Sequence, residues 1–211
     1  MFDIVSFQLF LITVLIICIT PGIDMMFILN RSISQGRDAG IYSALGVSVG
    51  AVVHTILSGL GLSVILQTSV VLFTIIKVVG AVYLIYLIYL GIQMFISKQS
   101  SISIKKTVYQ SRRKLFVQGV ITNVTNPKVA LFFISFIPQF ISVDNQYGPI
   151  PFLILGSIFA VMGAITSFII AIFSSSLTTK LRDNIVAEKI INKISGAVFV
   201  ILGISLFGTK S

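Results

Sequence analysis

Charge is what this chain has least of. Charged side chains make up 10% of its 211 residues, against roughly 25% in a soluble domain, so the chain cannot cover itself for water. One cysteine, Cys18, excludes a disulfide framework. One histidine, His54, excludes a multi-histidine metal site. HExxH and Walker A motifs are missing, so neither an enzyme nor a cofactor or metal requirement is expected. Lacking a nucleotide-binding motif, any pumping by this chain draws on an ion gradient. The start, Met1-Phe2-Asp3, has no positive n-region, and the apolar run that follows is too long for a signal peptide. That run is read as a first membrane span.

What remains is hydrophobic: 56% of residues, with a mean hydropathy of +1.06. Spans of about 20 apolar residues cross a bilayer as helices, and long continuous runs favour helices over an alternating barrel. The predicted fold is all-α and polytopic, with six spans near 4–29, 40–66, 70–96, 115–141, 149–176 and 190–208. Positive charge sorts to one side. The loops after spans one, three and five hold two, six and four of the fifteen lysines and arginines. Those loops are expected to be cytoplasmic and both termini outside, in a cell inner (plasma) membrane. The basic 97–114 loop then acts as a topology determinant that touches anionic lipid. It also accounts for the net charge of +9 without a nucleic-acid partner.

The halves resemble each other. Lys77-Val-Val-Gly80-Ala81-Val82-Tyr83 matches Lys193-Ile-Ser-Gly196-Ala197-Val198-Phe199, and Thr20-Pro21-Gly22 loosely matches Asn126-Pro127-Lys128. Repeats are therefore expected at 1–96 and 115–211, joined by the 97–114 loop. With three spans each, the second enters the membrane from the opposite side, a design of secondary transporters with a substrate site at the repeat interface.

Each first span is interrupted by a proline. Proline removes a backbone donor, while a preceding Thr20 or Asn126 suits a helix N-cap and proline suits the first helical position. Each break is read as the start of a half-helix whose amide end favours an anion, with Gly22 permitting close approach. Asp24 and Lys128 lie beside the breaks, and an ionisable group at the bilayer centre costs at least about 2.5–3.5 kcal/mol on insertion scales. A zwitterion would place its ammonium at Asp24 and its carboxylate at the amide ends and Lys128. The rival is a structural pair of Asp24 with Arg31 or with Lys128. His54 shares a face with Ser43, Gly46, Gly50 and Ser58, a small-residue seam suited to helix packing. As a coupling residue it would relay a proton. Gly156, Ala160, Gly163 and Ser167 form a similar seam, and either seam would allow a homodimer.

Thr20-Pro21-Gly22-Ile23-Asp24, Asn30-Arg31-Ser32, Gln35-Gly36-Arg37-Asp38-Ala39-Gly40 and His54-Thr55 together resemble the N-terminal signature of the LysE/RhtB family of amino acid exporters. Phe116-Val-Gln118-Gly119, Asn123, Asn126-Pro127-Lys128, Leu131-Phe132-Phe133 and Pro138-Gln139-Phe140 resemble its second half. Ile23 stands where the family usually has a second proline. The resemblance implies a six-helix inner-membrane exporter of amino acids coupled to proton entry. Its substrate-binding positions would be Pro21, Gly22, Asp24, Asn123, Asn126, Pro127 and Lys128, and its pattern is closer to the homoserine/threonine-type branch. A small neutral amino acid is the expected partner, with a proton and membrane lipid. The alternatives are another solute or cation, or a membrane subunit that transports nothing.

Overall fold

The computed structural model describes residues 2–20, 22–69, 71, 72, 75, 78 and 109–181. The sixth span, Pro21, the Lys77 and Lys193 repeat and nearly all of the third span lie outside the described residues, as does the basic loop from 97 to 108.

Within them the chain is almost wholly helical. Lipid offers no partner to a backbone amide, so an apolar run must satisfy its N–H and C=O groups internally. The run at α1 (Phe7–Ile19) is apolar on every side and is followed by α2 (Ile23–Gln35) and α3 (Arg37–Leu57). A π-helical turn, Ser58–Leu62, joins α3 to α4 (Ser63–Thr68). After the undescribed stretch come α5 (Arg112–Val124), α6 (Pro127–Leu131), a second π turn at Phe132–Phe136 and a 3-10 turn at Ile137–Phe140. The last described helix is α7 (Ile150–Leu181).

Two stretches are long and apolar enough to span: Arg37–Ile65, with 29 residues, and Ile150–Ser174, with 25. At 1.5 Å per residue both exceed a hydrocarbon core of about 30 Å. Two further spans are bent pairs. The axes of α1 and α2 differ by 44°, and that of Arg112–Val124 differs from that of Pro127–Phe140 by 45°. Four of the six expected spans thus have counterparts, though α2 runs on to Gln35, past the expected end at 29. The extension carries the polar Asn30, Arg31, Ser32, Ser34 and Gln35, which a hydropathy window excludes.

Small residues set the packing. A Cβ on Gly119 of α5 would meet the Ser43 carbonyl oxygen at 2.5 Å and the Gly46 Cα at 3.0 Å. On α7, a Cβ on Gly156 would meet Thr55 Cγ2 at 2.7 Å. Close backbone contact of this kind is how helices associate where lipid removes the hydrophobic drive. Aromatic rings fill one end of the bundle: Phe132 stacks on Phe159 at 4.6 Å and Phe10 meets Phe140 edge-on at 5.3 Å. Outward, Val161, Ile165, Ile169 and Phe173 are each more than half exposed at four-residue spacing, a face suited to acyl chains.

The two ends are tied differently. The N-terminal segment clips onto the loop before α7, with Val5 N donating to the Phe140 carbonyl and Ser142 N to the Asp3 carbonyl, both at 2.9 Å. At the other end Arg112 pairs with Asp38 at 3.0 Å, and Gln110 N donates to Gln35 Oε1 at 2.9 Å. The first loop and the start of α5 therefore share one end, as the charge distribution requires.

Candidate functional site

The site begins with the carbonyls that a broken helix leaves over. In α1, Thr20 N takes the Ile16 carbonyl at 2.9 Å. The next acceptor, Ile17 O, would in a continuous helix receive the N–H of residue 21. That residue is proline, which has none. The Lys128 ammonium supplies the donor instead, reaching Ile17 O at 2.8 Å and Thr20 O at 2.9 Å. Gly22 lies alongside it, where a Cβ would make ordinary contact with Lys128 Cδ at 3.4 Å and Nζ at 3.5 Å. A lysine beside the second break thus closes the end of the helix before the first.

The second break is capped from within. Asn126 Oδ1 accepts from Lys128 N at 3.0 Å, and the Asn126 carbonyl accepts from Val129 N at 3.1 Å and Ala130 N at 3.0 Å. Pro127 occupies the first helical position, as its fixed φ favours. This corrects one expectation. The amides that open α6 are already paired and offer no free nest for an anion, because the asparagine N-cap and its carbonyl consume them.

Asp24 lies in the first turn of α2, where a carboxylate complements the helix dipole. Asn123 Nδ2 donates to its Oδ2 at 2.7 Å. The other oxygen, Oδ1, is buried without a well-formed hydrogen bond, and the Asn126 amide and Lys128 charge are its near neighbours. Asp24 forms an ion pair with neither Lys128 nor Arg31. Arg31 instead donates to Gln118 Oε1 at 3.3 Å and lies over the Phe27 ring, which removes the rival pairing.

His54 works one step behind. Its Nε2 lies 3.2 Å from the Asn123 carbonyl, which can only accept, so that nitrogen carries the proton. Its ring stacks on Phe133 at 5.4 Å. One turn earlier on α3, a Cβ on Gly50 would meet Asn123 Cβ at 2.6 Å and Oδ1 at 2.7 Å. Gly50 and His54 together seat Asn123, and Asn123 holds Asp24.

These groups border a cavity of about 70 Å³ among α1, α2, α3, α5, α6 and α7. Asp24, Asn123, Asn126 and Lys128 form its polar part, and Gly22 also lines it. The sequence reading placed these five together; Pro21 lies outside the described residues, and His54 and Pro127 stand behind the lining. It missed Cys18, Ser48, Gly163 and Thr166, which also line the cavity. Ser48 and Thr166 bond their own helix at Ala44 O and Met162 O, so nothing in their spacing marks them as polar lining.

The profile of the LysE type translocator family matches residues 15–209. This chain belongs to the LysE type translocator family. An uncharacterized membrane protein of Bacillus subtilis (strain 168), YrhP, is 32% identical over 196 residues, covering 88% of this chain and 90% of its own. Another, from Vibrio cholerae serotype O1, is 27% identical over 209 residues, covering 99% and 100%. No solved structure matches significantly. The LysE-family chain is thus a multi-pass membrane translocator.

Proposed function

We propose that this LysE-type translocator exports small neutral amino acids or close derivatives from the cytoplasm, exchanging them for protons. The supporting observation is Asp24, a mid-span carboxylate held at 2.7 Å by the Asn123 amide where the two bent pairs meet. A substrate ammonium and a proton compete for that one carboxylate. Exclusive occupancy, in a carrier that changes its open side only when loaded, couples their opposite movements. The substrate carboxylate faces the remaining donors of Asn126 and Lys128. The cavity, about 70 Å³, holds several waters but is far smaller than the 300–1,000 Å³ of drug-sized pockets. Its remaining wall is uncharged, which favours a short neutral side chain, as in the homoserine/threonine-type branch.

The matching bends of 44° and 45° support two inverted three-helix repeats with the site on their pseudo-two-fold axis. The positive-charge bias supports cytoplasmic placement of the Arg112–Asp38 end, with the termini outside an inner membrane. Untargeted metabolite profiling of the medium, with and without the protein, tests the substrate. Enrichment of one or more small neutral amino acids is expected. Enrichment confined to other solutes would defeat the proposal.

A further inference from the structure

Gly163 sits on α7 in a line of small residues that resembles a packing seam, yet no neighbouring helix among the described residues packs closely on it. A Cβ at Gly40, Gly46, Gly50, Gly59, Gly119 or Gly156 would collide with a neighbouring helix at or under 2.7 Å. Among the described residues, a Cβ at Gly163 would meet one atom, Cys18 Sγ of α1, at an ordinary 3.8 Å. Its backbone is helical and outside the left-handed region, so conformation does not require glycine either. Gly61 is equally open, but it lies on the exposed outside of its helix, whereas Gly163 lines the cavity. Glycine within a helix is less stable than alanine, and at Gly163 neither packing nor backbone geometry offsets that cost. What the missing side chain leaves is room in the cavity.

The surroundings define what that room accepts. Cys18 faces Gly163, and Thr166, one turn along α7, lines the cavity beside them. Thr166 Oγ1 already donates to the Met162 carbonyl at 2.5 Å. The patch therefore offers a thiol, a hydroxyl oxygen and an uncharged surface, and the charged groups Asp24 and Lys128 belong to the polar part of the wall.

We propose that Gly163, with Cys18 opposite and Thr166 beside it, forms the side-chain subsite of the cavity and sets the largest side chain the translocator carries. This rests on the amino acid reading of the site above. The ligand class is an amino acid with a short, uncharged side chain. An added methyl at position 163 takes space from the substrate and not from the protein core. Removing the sulfur at position 18 returns it.

The test is uptake of radiolabelled glycine, alanine, valine and leucine into proteoliposomes holding wild type, Gly163→Ala, Gly163→Val, Cys18→Ala and the Gly163→Ala/Cys18→Ala pair. Gly163→Ala should melt no lower than wild type, and its rates relative to wild type should fall with the size of the substrate side chain. It should lose about 10–200-fold on the largest one that wild type carries, the range for one methylene in an apolar pocket. Gly163→Val should move the limit further down, Cys18→Ala should move it up, and the pair should regain much of the wild-type range. Cys18→Ala only empties space, so the test does not depend on an overpacked variant folding. Unchanged relative rates across the series, or an equal loss for every substrate at unchanged melting temperature, would overturn the subsite and leave the amino acid reading intact. Wild type carrying no amino acid would overturn both.

Discussion

Replacing Lys128 by methionine keeps an unbranched stem, one heavy atom shorter, and removes the donors, which isolates what the ammonium does for the first break. Two charge-assisted bonds disappear, to Ile17 O at 2.8 Å and Thr20 O at 2.9 Å, and both carbonyls are left without that donor away from water. At about 1–3 kcal/mol for each unsatisfied buried group, the loss is about 2–6 kcal/mol. For a protein of this size that lowers the melting temperature by roughly 4–24 °C. Pro21→Ala provides the decisive companion change, because it restores an N–H in register with Ile17 O. It can mend one of the two bonds and leaves Thr20 O unserved. Stability of the four proteins, measured in one detergent by thermal or denaturant unfolding, gives a double-mutant cycle. We expect Pro21→Ala to recover about 1–3 kcal/mol in the Lys128→Met background and to contribute much less alone. Additivity within about 0.5 kcal/mol would show that Lys128 is not standing in for the proline's missing donor.

Other expectations follow from the same contacts. Gly50→Ala places a methyl within 2.6 Å of Asn123 and should cut flux more than tenfold by displacing the amide from Asp24, whereas Gly163→Ala should leave stability intact; flux and melting temperature of the two variants side by side decide this. His54→Ala should reduce stability by about 1 kcal/mol through loss of the bond to the Asn123 carbonyl, yet retain proton-coupled flux; complete uncoupling would make His54 a relay instead. The Arg112–Asp38 pair is exposed on both sides, so Asp38→Ala should change stability by less than about 1 kcal/mol, an effect that fades further in high salt, as unfolding at two ionic strengths would show.

Much of the frame was legible because lipid imposes simple rules. Continuous apolar runs had to be helices, and four of those expected are found as two straight spans and two bent ones. The break at Asn126-Pro127 could be read from local chemistry, since an asparagine caps the residue two positions ahead and proline starts the turn. The line Ser43, Gly46 and Gly50 was legible as a packing face, and α5 does lie on it. The partnerships were not legible. Lys128 reaches a carbonyl 111 residues away and Asn123 reaches a carboxylate 99 residues away, and no local spacing encodes either meeting. The second seam shows why pattern alone falls short: Gly156 packs against Thr55, while Gly163, two turns later, opens on the cavity. Small residues look the same in sequence whether they admit a neighbouring helix or a solute. The two π turns, at Ser58–Leu62 and Phe132–Phe136, left no signal in the apolar pattern either.

The most direct measurement is flux of a radiolabelled small neutral amino acid into proteoliposomes under an imposed pH gradient, with wild type and Asp24→Asn compared at equal protein content. Wild type should accumulate the label against its gradient. Asp24→Asn, folded and inserted, should not respond to the gradient, because a neutral amide cannot alternate between a proton and an ammonium. Equal gradient-driven accumulation by the two proteins would contradict the placement of coupling at Asp24 and, with it, the role assigned to the cavity.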